Sequence, residues 1–488
     1  MRVFATTFLL SQCLLACQAF AADAPRHPNI VLILADDLGY GDVGCFNPHS
    51  KIPTPNIDRL AAQGMRFTDA HSPASVCVPT RYSLMTGRYS HRRPNRNGSF
   101  DAGALIEDGI GTLPAMLADA GYRTDMVGKW HLGFDFTSFD DAMKGGPVDR
   151  GFASYFGVPA STDIPPYFFV EGDRAVEAPT ATIDEHHSDG VRNIQGAFYR
   201  QGQISPGLKL QQVLPTFAER ALARIEENAK AEQPFFTYLA LTAPHTPWLP
   251  AERFHGRSTI RAANVPAALA DYGDFVANVD DVVGRVLAKL DELAIAGETL
   301  VIFTSDNGPT WYDEDAELTG HDSAGLWRGM KGDVWEAGHR VPLIVRWPGH
   351  VPADATSDAL IGQVDLFATF ATLVGRKLSP ETAPDSQNLL PVLLGQEGAK
   401  GRETLITQSS GGVLSLRKGS LKFIPHLGSA GFSDPKREKP LPGGPSVQLY
   451  DLATDPGETT NLAGERPQVV AELSTLLQRL EHAERTAP

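Results

Sequence analysis

Residues 29–37 read Asn-Ile-Val-Leu-Ile-Leu-Ala-Asp-Asp: six apolar side chains in a row, then two carboxylates. A run this short and this evenly apolar suits a strand covered on both faces. Three further segments repeat the pattern. Residues 123–127 lead to Lys129-Trp130-His131, residues 235–241 to Pro244-His245, and residues 299–304 to Asp306-Asn307-Gly308. Residues 341–345 form a fifth apolar run. Helical spacing lies between these runs, at residues 56–63, 112–120, 214–228, 271–293 and 363–374, with Pro114 in a first turn and Gly64 and Gly121 just past two ends. Strands alternating with helices predict an α/β fold: a large mixed, mostly parallel sheet sandwiched by helices. Ligands of such sheets bind beyond the carboxyl ends of the strands. Polar residues at four of those ends therefore predict one site built from distant parts of the chain.

The last hundred residues differ. Ser415-Leu416-Arg417 and residues 421–424 and 448–452 read as short strands between Gly/Pro-rich loops, and residues 467–482 as a closing helix. They predict a smaller C-terminal antiparallel subdomain with one helix. The expected division is a leader at 1–22, a catalytic domain at 23–395 and a C-terminal subdomain at 396–488.

Charge and length exclude several classes. The 488 residues carry 43 basic and 58 acidic side chains, a formal charge of −15, which disfavours general nucleic-acid binding. No apolar run is long enough to span a membrane. Residues 1–22 have one early Arg, a short apolar stretch and a small-residue exit near Ala21-Ala22, as in a secretory signal. The expectation is an exported protein, periplasmic or secreted. Leu14-Leu15-Ala16-Cys17 also resembles a lipoprotein signal, which would anchor the chain through Cys17. Removing residues 1–22 takes Cys13 and Cys17 and leaves Cys45 and Cys77.

Two acidic pairs mark a metal site. Asp36, Asp37, Asp306 and Asn307 end two strands and offer three carboxylates and one amide, with no His or Cys partner in either pair. Such donors suit a hard divalent cation, and the looser geometry of Ca²⁺ suits them better than that of Mg²⁺.

Residues 77–87 read Cys-Val-Pro-Thr-Arg-Tyr-Ser-Leu-Met-Thr-Gly. Pro79 suits a first helical turn, so Cys77 sits at a helix N-terminus, where free N–H groups favour anions. Arg81 follows one turn later on the same side. C-x-P-T-R followed by T-G resembles the signature of the type I sulfatases, in the alkaline-phosphatase-like superfamily. The resemblance continues in order through Asp36-Asp37, GKWHLG at 128–133, PHTP at 244–247, SDNG at 305–308, GMKGDVWEAGHRVP at 329–342 and LYDLATDPGETTNLA at 449–463. Val78 departs from it, since many members carry a smaller residue there.

The resemblance implies a sulfuric ester hydrolase, arylsulfatase-like, acting on a sulfated small molecule or glycan. It implies that a formylglycine-generating maturation enzyme converts Cys77 to Cα-formylglycine. The hydrate then supplies the attacking hydroxyl, and its second hydroxyl lets sulfate leave by elimination. It implies one Ca²⁺ on Asp36, Asp37, Asp306, Asn307 and residue 77. Arg81 and Lys129 are to hold residue 77 and the sulfate oxygens. His131 is to act as base at residue 77. His245 and Lys331 are to face the bridging oxygen, with His245 as general acid. Ser161 is to contact sulfate. Two other functions stand beside this one: a phosphodiesterase or phosphonate hydrolase of the same superfamily, and an unmodified homologue that binds sulfated glycans. His321 and Arg328 are expected in the substrate pocket, His186-His187 in a polar loop, and Cys45 without a disulfide partner.

Overall fold

The opening run forms the strand Asn29–Asp36 of the computed structural model, which describes residues 27–93 and 103–487. The leader expected at residues 1–22, with Cys13 and Cys17, lies outside the described residues. Ten strands make one sheet, in the order Ala355–Ser357, Met65–Phe67, Leu343–Arg346, Thr299–Ser305, Asn29–Asp36, Phe235–Pro244, Arg123–Lys129, Ser154–Val158, Val170–Glu171, Arg174–Ala175. The five strands from Thr299–Ser305 to Ser154–Val158 are parallel.

Strand alternation accounts for the continuous apolar runs. Ile30, Leu32 and Leu34 enter one core with Phe236, Tyr238, Leu300 and Ile302, and with Tyr82, Leu117 and Phe370 from the helices Cys77–Thr86, Leu113–Asp119 and Leu366–Leu373. Val31 and Ile33 enter the other core with Leu239, Val301 and Phe303, under the helices Val213–Asn228 and Ala267–Glu292. Burying each such aliphatic or aromatic side chain contributes about 1.5–3 kcal/mol, so both faces hold the strands in register.

The fifth apolar run becomes Leu343–Arg346, which pairs antiparallel with Thr299–Ser305. The segment between them stays at the carboxyl edge, where it supplies Thr310 and Lys331, so the chain re-enters the sheet from that edge and must run backwards.

The four-stranded antiparallel sheet comprises Thr404–Gln408, Leu414–Lys418, Leu421–Ile424 and Gln448–Asp451. The first of these was not among the expected strands. The helix Pro467–His482 covers the sheet through Leu473 and Leu477. Buried polar groups tie the sheet to the larger body: Lys422 Nζ lies 3.0 Å from Glu336 Oε1 and 3.1 Å from Glu458 Oε1. Among the described residues no helix is long and apolar enough to cross a membrane.

Candidate active site

Parallel pairing puts Asp36 level with Pro244 and Ala35 level with Ser305, so the ends of three strands meet. Alternation would send Asp36 and Asp37 to opposite faces. Asp37 instead adopts a left-handed backbone (φ 63°), and both carboxylates reach within 4.8 Å of a His245 nitrogen and of each other. His131 is also left-handed (φ 58°). Non-glycine residues in this region cost about 1–3 kcal/mol each and cluster where function requires an aimed side chain.

Each carboxylate has its own buried cation. Arg81, fully buried, gives Nε and Nη2 to Asp306 Oδ2 at 3.0 and 2.8 Å and Nη1 to the Lys129 carbonyl at 2.9 Å. Lys129 Nζ donates to Asp36 Oδ2 and lies 3.4 Å from Ser161 Oγ. Lys331 Nζ donates to Asp37 Oδ2 at 2.8 Å. Asn307 Nδ2 and Thr310 Oγ1 donate to the two Asp37 oxygens at 2.7 and 3.1 Å. Burial opposes ionisation of Asp36, but Lys129, His245, Arg81 and Lys331 together hold its carboxyl well below the usual range. Burial, and then the charge of Asp36, push Asp306 up.

Asp36 Oδ1 and Asn307 Oδ1 are buried without a hydrogen-bond partner. Orphaned buried oxygens are rare and call for a ligand. Ligand atoms of Asp36, Cys77 and Asp306 lie within 4.8 Å of one another. An oxygen-rich set with two idle donors and crowded carboxylates fits a hard divalent cation, which would also relieve the repulsion between Asp36 and Asp306.

Cys77 is the first residue of its helix and is buried, and burial pushes its thiol pKa up against the pull of Lys129 and Lys331. Both ring nitrogens of buried His131 are without a hydrogen bond. Burial, and then Lys129 and Arg81, push its pKa well below the ordinary value. His245 Nδ1 is 2.6 Å from the Thr246 carbonyl and 3.2 Å from Ser161 Oγ. A carbonyl only accepts, so Nδ1 carries the proton of the neutral ring. That leaves Nε2, 3.7 Å from Asp37 Oδ2, as the nitrogen free to exchange one.

Cys77, His131, His245 and Lys331 line one cleft of about 700 Å³, with Asp37 at its floor. Of the residues expected from the sequence to carry chemistry, these five line the cleft, and Asp36, Arg81, Lys129, Ser161, Asp306 and Asn307 are joined to them by the contacts above. Two expected pocket residues are not in it. His321 is buried, with Nε2 2.9 Å from Asp42 Oδ1, in a network that Ser323 and Tyr272 share. Arg328 stacks on Trp335 and donates to the Glu458 carbonyl. His186 and His187 lie on an exposed segment, as expected of a polar loop. Cys45 and Cys77 are free thiols.

Sequence reasoning missed Thr310, three residues past Asn307, which the SDNG block could have suggested. It also missed Asp163, Arg200, Phe432 and residues 409–411 on the cleft walls. These come from loops and from the C-terminal sheet, and no local pattern marks them. Arg93 is there too, from the basic run at 90–96 that the sequence offers either as an extension of the site's positive field or as a solvated loop.

Such a site suits hydrolysis of an anionic ester, whose charge fixed basic groups and a cation offset as the bond breaks. A family model described as Sulfatase matches residues 28–376. An N-acetylgalactosamine-6-O-sulfatase of Bacteroides thetaiotaomicron is 33% identical, with 97% of each chain covered. Human arylsulfatase A is 35% identical over 95% of this chain and 89% of its own. A structure from work on glycosaminoglycan metabolism by Bacteroides thetaiotaomicron superposes with a TM-score of 0.82 at 33% identity, covering 94% of this chain and 100% of the other. A phosphonate monoester hydrolase of Agrobacterium radiobacter, at 20% identity and TM-score 0.61, shares the fold alone. The chain belongs to the sulfatase family and is a sulfuric ester hydrolase.

Proposed function

We propose that this enzyme releases inorganic sulfate from a sulfated carbohydrate, using a Cα-formylglycine made from Cys77 by a maturation enzyme and a bound Ca²⁺. The observation that carries the proposal is the setting of Cys77. Three buried cations and two orphaned oxygens surround a thiol that burial keeps protonated. Sulfur is a soft donor among hard oxygens, and a neutral thiol is a weak nucleophile. A hydrated formylglycine would supply both a hydroxyl nucleophile and an oxygen ligand at that point.

Asp36, Asp37, Asp306 and Asn307, with residue 77, would hold the cation. When bound, Ca²⁺ supplies charge that offsets the sulfate oxygens. Arg81 and Lys129 orient residue 77, and Lys129 and Ser161 meet the sulfate oxygens. His131, whose ring nitrogens have no other partner, takes the proton at residue 77. His245 delivers a proton from Nε2 to the departing alcohol, and Lys331 stands beside the bridging oxygen.

A carbohydrate substrate is supported by the cleft, which is larger than a bare aryl ring needs, and by the full-length similarity to an N-acetylgalactosamine-6-O-sulfatase. Export follows from the sequence of residues 1–22. Residues 23–395 act as the catalytic domain and 396–488 as a subdomain that completes the cleft.

The test is mass spectrometry of the peptide containing Cys77, from a host with the maturation enzyme. It is joined to sulfate release from N-acetylgalactosamine-6-sulfate, other sulfated sugars and matched phosphate esters. Formylglycine at 77 and preference for a sulfated sugar are expected. Full activity with an unmodified thiol, or faster turnover of the phosphate esters, would overturn the proposal.

A further inference from the structure

Asp333 lies two residues past Lys331, is fully buried, and has no ion-pair partner among the described residues. A buried carboxylate without a countercharge must be held by hydrogen bonds. Asp333 Oδ2 accepts from Met330 N at 3.0 Å and from Ser433 Oγ. Its Oδ1 accepts from Phe432 N at 2.7 Å and from Ser433 N at 3.0 Å. One carboxylate thus closes the turn that carries Lys331 and fastens the C-terminal loop that carries Phe432.

The two segments touch backbone to backbone. A Cβ on Gly431 would lie 2.2 Å from the Gly332 carbonyl oxygen, and one on Gly332 would lie 2.8 Å from the Phe432 ring. Gly332 is left-handed (φ 87°). The ring therefore rests on Gly332, next to Lys331, and presents a part-exposed surface to the cleft. A phenyl ring left partly wet among ionisable groups forgoes some of the gain of burial, and ligand clefts use such rings as contact surfaces.

We propose that Phe432 is a substrate-contacting residue. It is a platform on which the apolar C–H face of the sugar bearing the ester packs, and Asp333 is the positioning residue that keeps this platform and Lys331 in register. The proposal rests on the carbohydrate sulfatase assignment and adds which wall holds the sugar.

The test uses the formylglycine-bearing enzyme. Phe432→Ala should raise KM for N-acetylgalactosamine-6-sulfate about tenfold with kcat nearly unchanged, the scale of one aromatic contact. Phe432→Tyr should stay near the parent. Asp333→Asn should raise KM and also lower kcat, because it loosens the Lys331 turn as well. An unchanged KM in a normally folded Phe432→Ala enzyme overturns the platform. If the parent hydrolyses no sulfated sugar, the carbohydrate reading fails, and calorimetry with N-acetylgalactosamine-6-sulfate on the Cys77→Ala protein decides the platform. There, Phe432→Ala should weaken sugar binding about tenfold. Undiminished binding, or none to the Cys77→Ala parent, counts against it.

Discussion

Replacing His245 by Asn separates proton donation from binding. The Asn amide can still donate to the Thr246 carbonyl, as Nδ1 does at 2.6 Å, so the loop between Pro244 and Pro247 keeps its anchor. What is lost is Nε2, the nitrogen facing Asp37 and the cleft. General acid catalysis contributes about 10²–10⁴-fold, or roughly 2.7–5.5 kcal/mol of barrier. That loss should depend on the leaving group. A sugar alkoxide needs its proton, so the full loss is expected with a sulfated sugar. A nitrophenolate leaves unaided, so loss with a nitrophenyl sulfate should stay below about tenfold. The assay is kcat/KM for a series of aryl sulfates of graded leaving-group acidity, with one sulfated sugar, for both proteins. The variant should show the steeper dependence on acidity. An equal loss on every substrate would refute donation from Nε2 and assign His245 to binding alone.

Cys77→Ala should abolish turnover and leave the melting temperature near that of the parent, because the side chain is small; any retained turnover contradicts its role. Chelation should remove activity, with Ca²⁺ restoring it better than Zn²⁺, as oxygen donors require; recovery with Zn²⁺ alone counts against this ligand set. Lys422→Met should destabilise the fold by about 3–5 kcal/mol in urea unfolding, since it takes the buried cation from Glu458 while Glu336 keeps Arg340 and Arg417; a loss below about 1 kcal/mol would show that water reaches Glu458. Burial pushes Glu458 up from 4.5 to about 7, with Glu336 adding to the effect against Lys422. The folded state then binds the extra proton, so stability should fall as pH rises from about 4.5 through about 7. Glu458→Gln should flatten that part of the profile, and an unaltered slope would exclude Glu458 as its source.

The run at 29–35 and its parallel partners were legible because strands covered on both faces must be apolar along their whole length. That necessity leaves a mark on local sequence. Most of the residues that gather at the cleft were legible for a related reason: they sit at strand ends and a helix start, where an abrupt change from apolar to polar is itself the signal, whereas Ser161 and Lys331 lie in loops and were named only through the family resemblance. The direction of Leu343–Arg346 was not legible, since an apolar run looks alike in either sense. Nor was the strand Thr404–Gln408, five residues long and partly polar.

The sequence by itself determined the α/β class, the signature at Cys77 and the identity of the groups around it. Only the tertiary structure decided which oxygens are left idle, which cation serves which carboxylate, and which loops close the cleft. Arg93, Asp163 and Phe432 reach the cleft from three separate parts of the chain, and His321 and Arg328 turn away from it to satisfy Asp42 and Trp335. Those outcomes depend on contacts that cross the chain: His321 with Asp42 spans 279 positions, and Arg328 with the Glu458 carbonyl 130. A polar side chain in a loop is placed by whatever partner it finds across such distances, and its neighbours in sequence carry no record of that partner.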